Sequence, residues 1–276
     1  MEDTFENLLV RLELGESADF TGISFKGKNL WLLDFSNATG LSWEQIAEAD
    51  NFCGIRVPAG MDFTGISFKG KNLWLLDFSN ATGLSWEQIA EAKDFRGIRV
   101  PARMDFTGIS FKGLDISYID FSKATGLTGT QIAEAKDFRG IRVSAGTDFA
   151  GVSFKGKNIM KLDFSNAIGI TWEQILEAED IQLVKLPSYL DFSGVSFKGK
   201  SIFNVNFSLV KGLTGAQIVE ADDFRGVILP EGIDFTGVSF KGKDIDYVKF
   251  GNATGLTREQ IEEAENFQKA TLPSYL

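Results

Sequence analysis

The one stretch with a recognised chemical spacing is Gly194-Val195-Ser196-Phe197-Lys198-Gly199-Lys200-Ser201. It satisfies G-x-x-x-x-G-K-[ST], a loop whose backbone N–H groups and lysine cradle phosphates. That chemistry needs a strand before the loop and a helix after it. Here the loop runs into Ile202-Phe203, and sister stretches such as Gly22 to Gly27 lack the closing Ser or Thr. Asp19, Asp62, Asp105, Asp148, Asp191 and Asp234 recur at a fixed interval and could be imagined as a calcium ladder. The Gly- and Asp-rich nonapeptide of such ladders is absent, and bonding to nearby backbone N–H groups explains the aspartates. The chain has no histidine, which removes His-based triads, His metal sites and the commonest general base. Its one cysteine, Cys53, allows no internal disulfide and fits a reducing, cytoplasmic compartment. No catalytic residue, metal or cofactor is expected.

The elements that would position any site come from repetition. Asp19-Phe20, Asp62-Phe63, Asp105-Phe106, Asp148-Phe149, Asp191-Phe192 and Asp234-Phe235 open six copies of one 43-residue segment, with no insertion between them. The domain reading is an N-terminal capping helix over 1–17, then one repeat domain over 18–276 with copies starting near 19, 62, 105, 148, 191 and 234. Residues 19–60 and 62–103 agree at 38 of 42 positions, differing at Asp50/Lys93, Asn51/Asp94, Cys53/Arg96 and Gly60/Arg103. This marks a duplication.

Within a copy the apolar residues fall every five positions: Ala18-Asp19-Phe20-Thr21-Gly22, Ile23-Ser24-Phe25-Lys26-Gly27, Lys28-Asn29-Leu30-Trp31-Leu32, Leu33-Asp34-Phe35-Ser36-Asn37. Spacing then changes. Ser42 and Gln45 fit a capping box, repeated at Ser85/Gln88, Thr128/Gln131, Thr171/Gln174, Thr214/Gln217 and Thr257/Gln260. A short helix follows each, anchored inward by Ile46 and its counterparts, too short to stand without packing. Phe20, Phe25, Leu30, Phe35, Leu41, Ile46, Phe52 and Val57 are the inward candidates, and stacking them alternates aromatic with aliphatic residues. At the start, Asp3 and Glu6 suggest a helix over 3–14 with Phe5, Leu8, Leu9 and Leu12 on one face.

The five-residue blocks resemble the pentapeptide-repeat family. That resemblance covers nearly all of 18–276, about half of each copy keeping the strict spacing. Lys28 and its counterparts depart from it, as do the regular helices. It implies a mainly β fold: a right-handed four-sided β-helix solenoid with short regular helices, about two coils per 43-residue copy. A single wider coil per copy is the rival geometry. Lys26, Lys69, Lys112 and their later counterparts would sit ~4.8 Å apart in one and ~9.6 Å in the other, which favours two coils mildly.

Functionally, the expectation is a non-catalytic repeat scaffold in a bacterial cytoplasm, meeting a protein partner through its outer faces. The candidate contact residues are Trp31 and Trp74, expected to point outward, the lysine row Lys26, Lys69 and Lys112, and the helix glutamates Glu48, Glu91 and Glu134. A second reading, implied by the same resemblance, is an acidic mimic of DNA that occupies a type II topoisomerase (gyrase). The net charge of −10 permits it, and also disfavours nucleic-acid and anionic-membrane partners. The start of the chain reads as neither a secretory signal nor a transmembrane span. Delivery into a host as a secreted effector is compatible with the sequence. Leu272-Pro273-Ser274-Tyr275-Leu276 copies Leu186-Pro187-Ser188-Tyr189-Leu190, where a further copy would begin. Either the last coil pairs end to end with another chain as a homodimer, or Tyr275 and Leu276 fold over it.

Overall fold

A computed structural model describes residues 4–276. Asp3 lies outside them. The chain forms two compact units, Met1–Ile109 with Asp115–Leu127, and Ser110–Leu114 with Thr128–Leu276. Seven helices are present among the described residues: α1 (Phe5–Glu13), α2 (Trp43–Ala47), α3 (Trp86–Ala90), α4 (Gly129–Glu134), α5 (Trp172–Glu177), α6 (Gly215–Glu220) and α7 (Arg258–Glu262). None is long and apolar enough to cross a membrane. The strands are β1 (Ala18–Asp19) and β2 (Ala38–Thr39), paired in parallel.

The local physics of each block explains this content. Ile23 N–H bonds the Phe20 carbonyl and Lys28 N–H bonds the Phe25 carbonyl, both at 3.0 Å, so each block of five closes a tight turn. Few residues remain between turns, and one of them meets a neighbouring segment. The result is isolated parallel bridges, joining residues 20 to 22 apart, as in Asp62 with Thr82 and Asn29 with Asn51. Typical strands run about five residues; these segments have no room for one.

The mainly β, four-sided β-helix solenoid is therefore corrected. Among the described residues the regular strand content is one open two-stranded sheet, and turns, single bridges and short helices make up the rest. The pentapeptide-repeat resemblance fails with it, because five-residue spacing records where turns fall and does not by itself make strands. The repeat scaffold binding along its outer faces and the acidic DNA mimic both depended on that architecture, and both fall.

What the apolar spacing does make is a continuous aromatic interior in each unit. In the first, Phe20, Phe25 and Phe35 are fully buried, with Phe20 and Phe35 edge-to-face at 5.5 Å. In the second, Phe149, Phe154 and Phe164 repeat the arrangement, with Phe149 and Phe164 at 5.2 Å. Each such ring contributes roughly 1.5–3 kcal/mol through burial. Helix α1 is capped by the Thr4 hydroxyl, which accepts from Asn7 N–H, and turns Leu8 inward, while Phe5 meets Phe25 at 5.3 Å.

All six short helices carry complete capping boxes. The glutamine does more than cap. Gln45 Nε2 donates to the Phe20 and Ile23 carbonyls, at 2.8 and 2.9 Å, and Gln88, Gln174, Gln217 and Gln260 do the same in their copies. One side chain thus fixes the helix start and sews it to the preceding turns, which is how a helix of five or six residues persists.

Candidate functional site: an apolar and ionic groove on the first unit

Every copy holds a non-glycine residue in the left-handed region at one place: Leu32, Leu75, Tyr118, Lys161, Asn204 and Tyr247, with φ between 54 and 65°. A residue with a Cβ is disfavoured there, and a bulky apolar one most of all. In the first unit the position is nevertheless taken by Leu32, Leu75 and Tyr118, exposed at 56, 36 and 43%. Leu32 leans over Gly54, and Leu75 over Gly97, so that a Cβ on either glycine would collide with the leucine Cδ2. Trp31 and Trp74 precede the leucines and are 52 and 37% exposed. Their backbone N–H groups are held by Asn29 Oδ1 and Asn72 Oδ1, at 3.1 and 3.0 Å, which fixes the turn that presents both rings.

Two residues beyond each leucine lies an ionic ladder. Arg56 Nη1 meets Asp34 Oδ2 at 2.9 Å, Arg56 Nε meets Asp77 Oδ2 at 3.1 Å, and Arg99 Nη1 meets the same Asp77 oxygen at 3.1 Å. Asp77 also accepts from the Ser79 hydroxyl and N–H. Its burial alone would raise the carboxyl pKa; the Ser79 bonds and the two arginines outweigh this and hold it below the usual value. The Asp77 hydrogen bond and the Asp34 charge together push the Arg56 guanidinium up. Leucines and ladder line one groove of about 290 Å³, with Gly54 and Gly97 in its wall.

The candidate residues distribute unevenly. Trp31 and Trp74 directly precede the groove's leucines and are exposed, but neither lines the groove. Lys26, Lys69, Glu48 and Glu91, in the first unit, are exposed and line no part of it, and Lys112 and Glu134 belong to the second unit. The glutamates serve the fold. Glu48 Oε2 accepts from Ser24 Oγ, as Glu91 does from Ser67 and Glu134 from Ser110. Each serine in turn accepts the N–H of Lys26, Lys69 or Lys112, whose ammonium groups make no ion pair among the described residues. The groove's leucines and ladder escaped sequence reasoning. The alternation of Asp34, Arg56, Asp77 and Arg99 could have been found by aligning positions 20 to 22 apart; the left-handed backbone has no signature in Trp-Leu-Leu.

The remaining chemical motifs resolve as structure. Lys200 Nζ donates to the Ala178 carbonyl at 3.0 Å and no helix follows Ser201, so the phosphate-loop spacing is a turn and a tethered lysine. Asp19 Oδ1 accepts from Thr21 N–H and hydroxyl, at 2.9 and 2.7 Å, which lowers its pKa. No group of metal-ligating side chains is gathered among the described residues. A larger depression of about 580 Å³, lined by Val210 to Thr214 and Pro230 to Asp234, has a counterpart at Ala38, Thr39, Pro58 and Ala59, so it belongs to the repeated backbone. At the C-terminal end Tyr275 Oη donates to the Ala253 carbonyl and accepts from Leu256 N–H, folding the ring onto its own copy.

No protein-family profile matches the chain, and no curated protein is similar to it. Among solved structures it is similar to HetL, a pentapeptide repeat protein involved in heterocyst differentiation regulation from the cyanobacterium Nostoc sp. strain PCC 7120. The identity is 16%, over 82% of this chain and 97% of that one, with a TM-score of 0.22. A superposition that poor transfers neither fold nor function.

Proposed function

We propose that the chain is a binding protein, not an enzyme, and that it takes a protein partner on the groove of its first unit. The observation that supports this reading is the double cost accepted at Leu32 and Leu75. Each is an apolar side chain left in water and a Cβ-bearing residue held at positive φ. Strain of this kind costs about 1–3 kcal/mol per residue and gathers where a surface has work to do. The two tryptophans beside the leucines are the residue type most enriched at binding hot spots. The compartment proposed is the cytoplasm, consistent with Cys53 as a lone thiol whose pKa is pushed up by burial and by Asp94.

The test is a selection of displayed random peptides against the immobilised chain, with Trp31→Ser/Trp74→Ser as the counter-target. The expected outcome is an enriched class of apolar peptides that bind the wild type and lose about tenfold or more on the variant, or roughly 1.4 kcal/mol. Enriched peptides that bind both chains equally would end the reading.

A further inference from the structure

Backbone hydrogen bonds set a row of outward residues beside the leucines. Leu30 N–H bonds the Asn51 carbonyl at 2.7 Å and Leu32 N–H bonds the Cys53 carbonyl at 3.1 Å, so Trp31 is level with Cys53. Gly54 N–H bonds the Trp74 carbonyl at 2.9 Å, so Cys53 is level with Trp74. Neighbours in such a register stand ~4.8 Å apart, which separates the two tryptophans by ~9.6 Å with Cys53 between them. A flat group packed between two rings needs about 3.5 Å on each side, or about 7 Å in all. The interval admits one such group, and the short Cys53 side chain leaves it open.

Other copies fill the corresponding place from within the chain. Arg96, Arg139 and Arg225 stand where Cys53 does, each held by a two-pronged contact with the aspartate two residues before it, Asp94, Asp137 and Asp223. Asn204 N–H bonds the Arg225 carbonyl at 3.0 Å, the register that joins Trp31 to Cys53, and the Arg225 guanidinium covers the Phe203 ring at 5.5 Å. Phe203 is half-buried, whereas Trp31 is 52% exposed. The first copy thus keeps the ring and omits its cation, with Asn51 and Cys53 in place of the Asp–Arg pair. Across 50–53 it is two charges more negative than the second copy across 93–96. Burial, and after it the Asp94 charge, raises the Cys53 thiol pKa, so the field at this place favours a cation.

We propose that the interval between Trp31 and Trp74 receives an arginine side chain of the protein partner. The proposal rests on the first unit's being a protein-binding face and adds the partner residue that anchors there. The incoming guanidinium takes the place that Arg225 takes over Phe203. It has two rings to lie against where Arg225 has one, and tryptophan is the ring that attracts a cation most strongly. Arginine suits the interval better than lysine, because its plane stacks on a ring face while an ammonium is a compact and strongly hydrated point charge. The Cys53 thiol does no chemistry in this; it is there as a short side chain.

The test is capture of the full chain, labelled at its N-terminus, by three bead-bound peptide libraries. They share the same random flanks and carry a fixed central arginine, lysine or citrulline, the last keeping the flat shape without the charge. The wild type is captured about fivefold or more better by the arginine library than by the citrulline library, with lysine between them. Asn51→Asp/Cys53→Arg gives the first copy the pair that the second has at Asp94 and Arg96, at unchanged net charge, and abolishes the preference. Cys53→Ser leaves the interval open and keeps it. Equal capture by arginine and citrulline, or no capture by any library, overturns the proposal, and lysine equal to arginine overturns the stacked guanidinium. A preference that survives Asn51→Asp/Cys53→Arg overturns it by moving the arginine elsewhere, and one lost in Cys53→Ser overturns it in favour of the thiol. Capture that ignores the central charge yet falls on Trp31→Ser/Trp74→Ser overturns the arginine and leaves the binding face standing. Capture indifferent to both tryptophans overturns the two together.

Discussion

The first and second units use the same backbone for different surfaces. At the left-handed position the first presents Leu32, Leu75 and Tyr118, and the second presents Lys161, Asn204 and Tyr247. At the ladder positions the first has Asp34, Arg56, Asp77, Arg99 and Asp120, and the second begins with Arg142, Asp163 and Lys185. The last copies of the second unit have Asn206, Ile228, Lys249 and Thr271, which still pair through their backbones: Asn206 with Ile228, Ile228 with Lys249, Lys249 with Thr271. In the second unit cations cover two rings at the surface, Arg225 over the half-buried Phe203 at 5.5 Å and Lys269 over the exposed Tyr247 at 4.9 Å. Neither the ladder nor the leucines are thus needed to form the turns and bridges that hold them. What the fold does not require and the sequence nonetheless keeps, twice over, is the part that has another use.

The largest effect expected from that comparison is at the ladder's centre. The Asp77 side chain is 9% exposed and lies between two arginines; its counterpart Asp163 is 24% exposed with Lys185 at 3.0 Å. Asp77→Ala leaves Arg56 and Arg99 facing each other and should cost about 3 kcal/mol, against about 1 kcal/mol for Asp163→Ala. Four of the five tryptophans lie in the first unit, so urea unfolding followed by their emission reads the first variant, and amide hydrogen exchange reads the second. Equal costs would dissolve the distinction. For both carboxylates burial by itself raises the pKa, and the hydroxyl, N–H and cation partners bring it below the usual 3.8. A folded value below the unfolded one means stability fully present above the unfolded value and lost as pH falls through the folded value. Acid should therefore loosen both sites only below about pH 4, and Asp77→Ala should flatten that acid limb.

A middle-sized effect comes from the helix starts. In the first unit Trp43 opens α2 with its ring buried against Phe52, Phe63 and Phe68, at 5.4, 5.7 and 5.0 Å. In the second, Gly129 opens α4, its N–H donating to the Asp148 carbonyl at 3.0 Å. A Cβ there would lie 2.6 Å from that carbonyl oxygen and from the Phe149 ring. Gly129→Ala should cost about 2 kcal/mol despite the better helix propensity of alanine. A stabilised variant, by thermal unfolding, would show that the close approach is slack.

The same pair marks how far the sequence could be read. The capping boxes were legible because each needs only residue types at a fixed offset, and the interior phenylalanines because apolar spacing sets burial. The strands expected from that spacing were not there, because Phe20 and Phe25 each close a turn that uses up the segment between them. Trp43 was not recognised as buried, since nothing in Ser42-Trp43-Glu44 tells which way the first helical residue faces once a neighbouring copy packs against it. Trp31 and Trp74 were legible as outward from their place after a buried leucine. The ladder was not, because its partners become neighbours only when the chain returns.

The smallest effect separates the two uses of one residue. Leu32→Asn gives the first unit the residue that the second unit has at Asn204, a type that tolerates positive φ. The strain relieved and the modest packing lost over Gly54 should nearly cancel, leaving stability unchanged or raised by up to about 1 kcal/mol. The apolar wall of the groove is lost with it, so binding to selected peptides should fall several-fold while the fold stands. Opposite signs are what a surface kept against the interest of stability requires. If thermal unfolding shows instead a loss beyond about 1 kcal/mol, Leu32 is there for the fold. The contrast between the units would then be one of packing, with no bearing on partners.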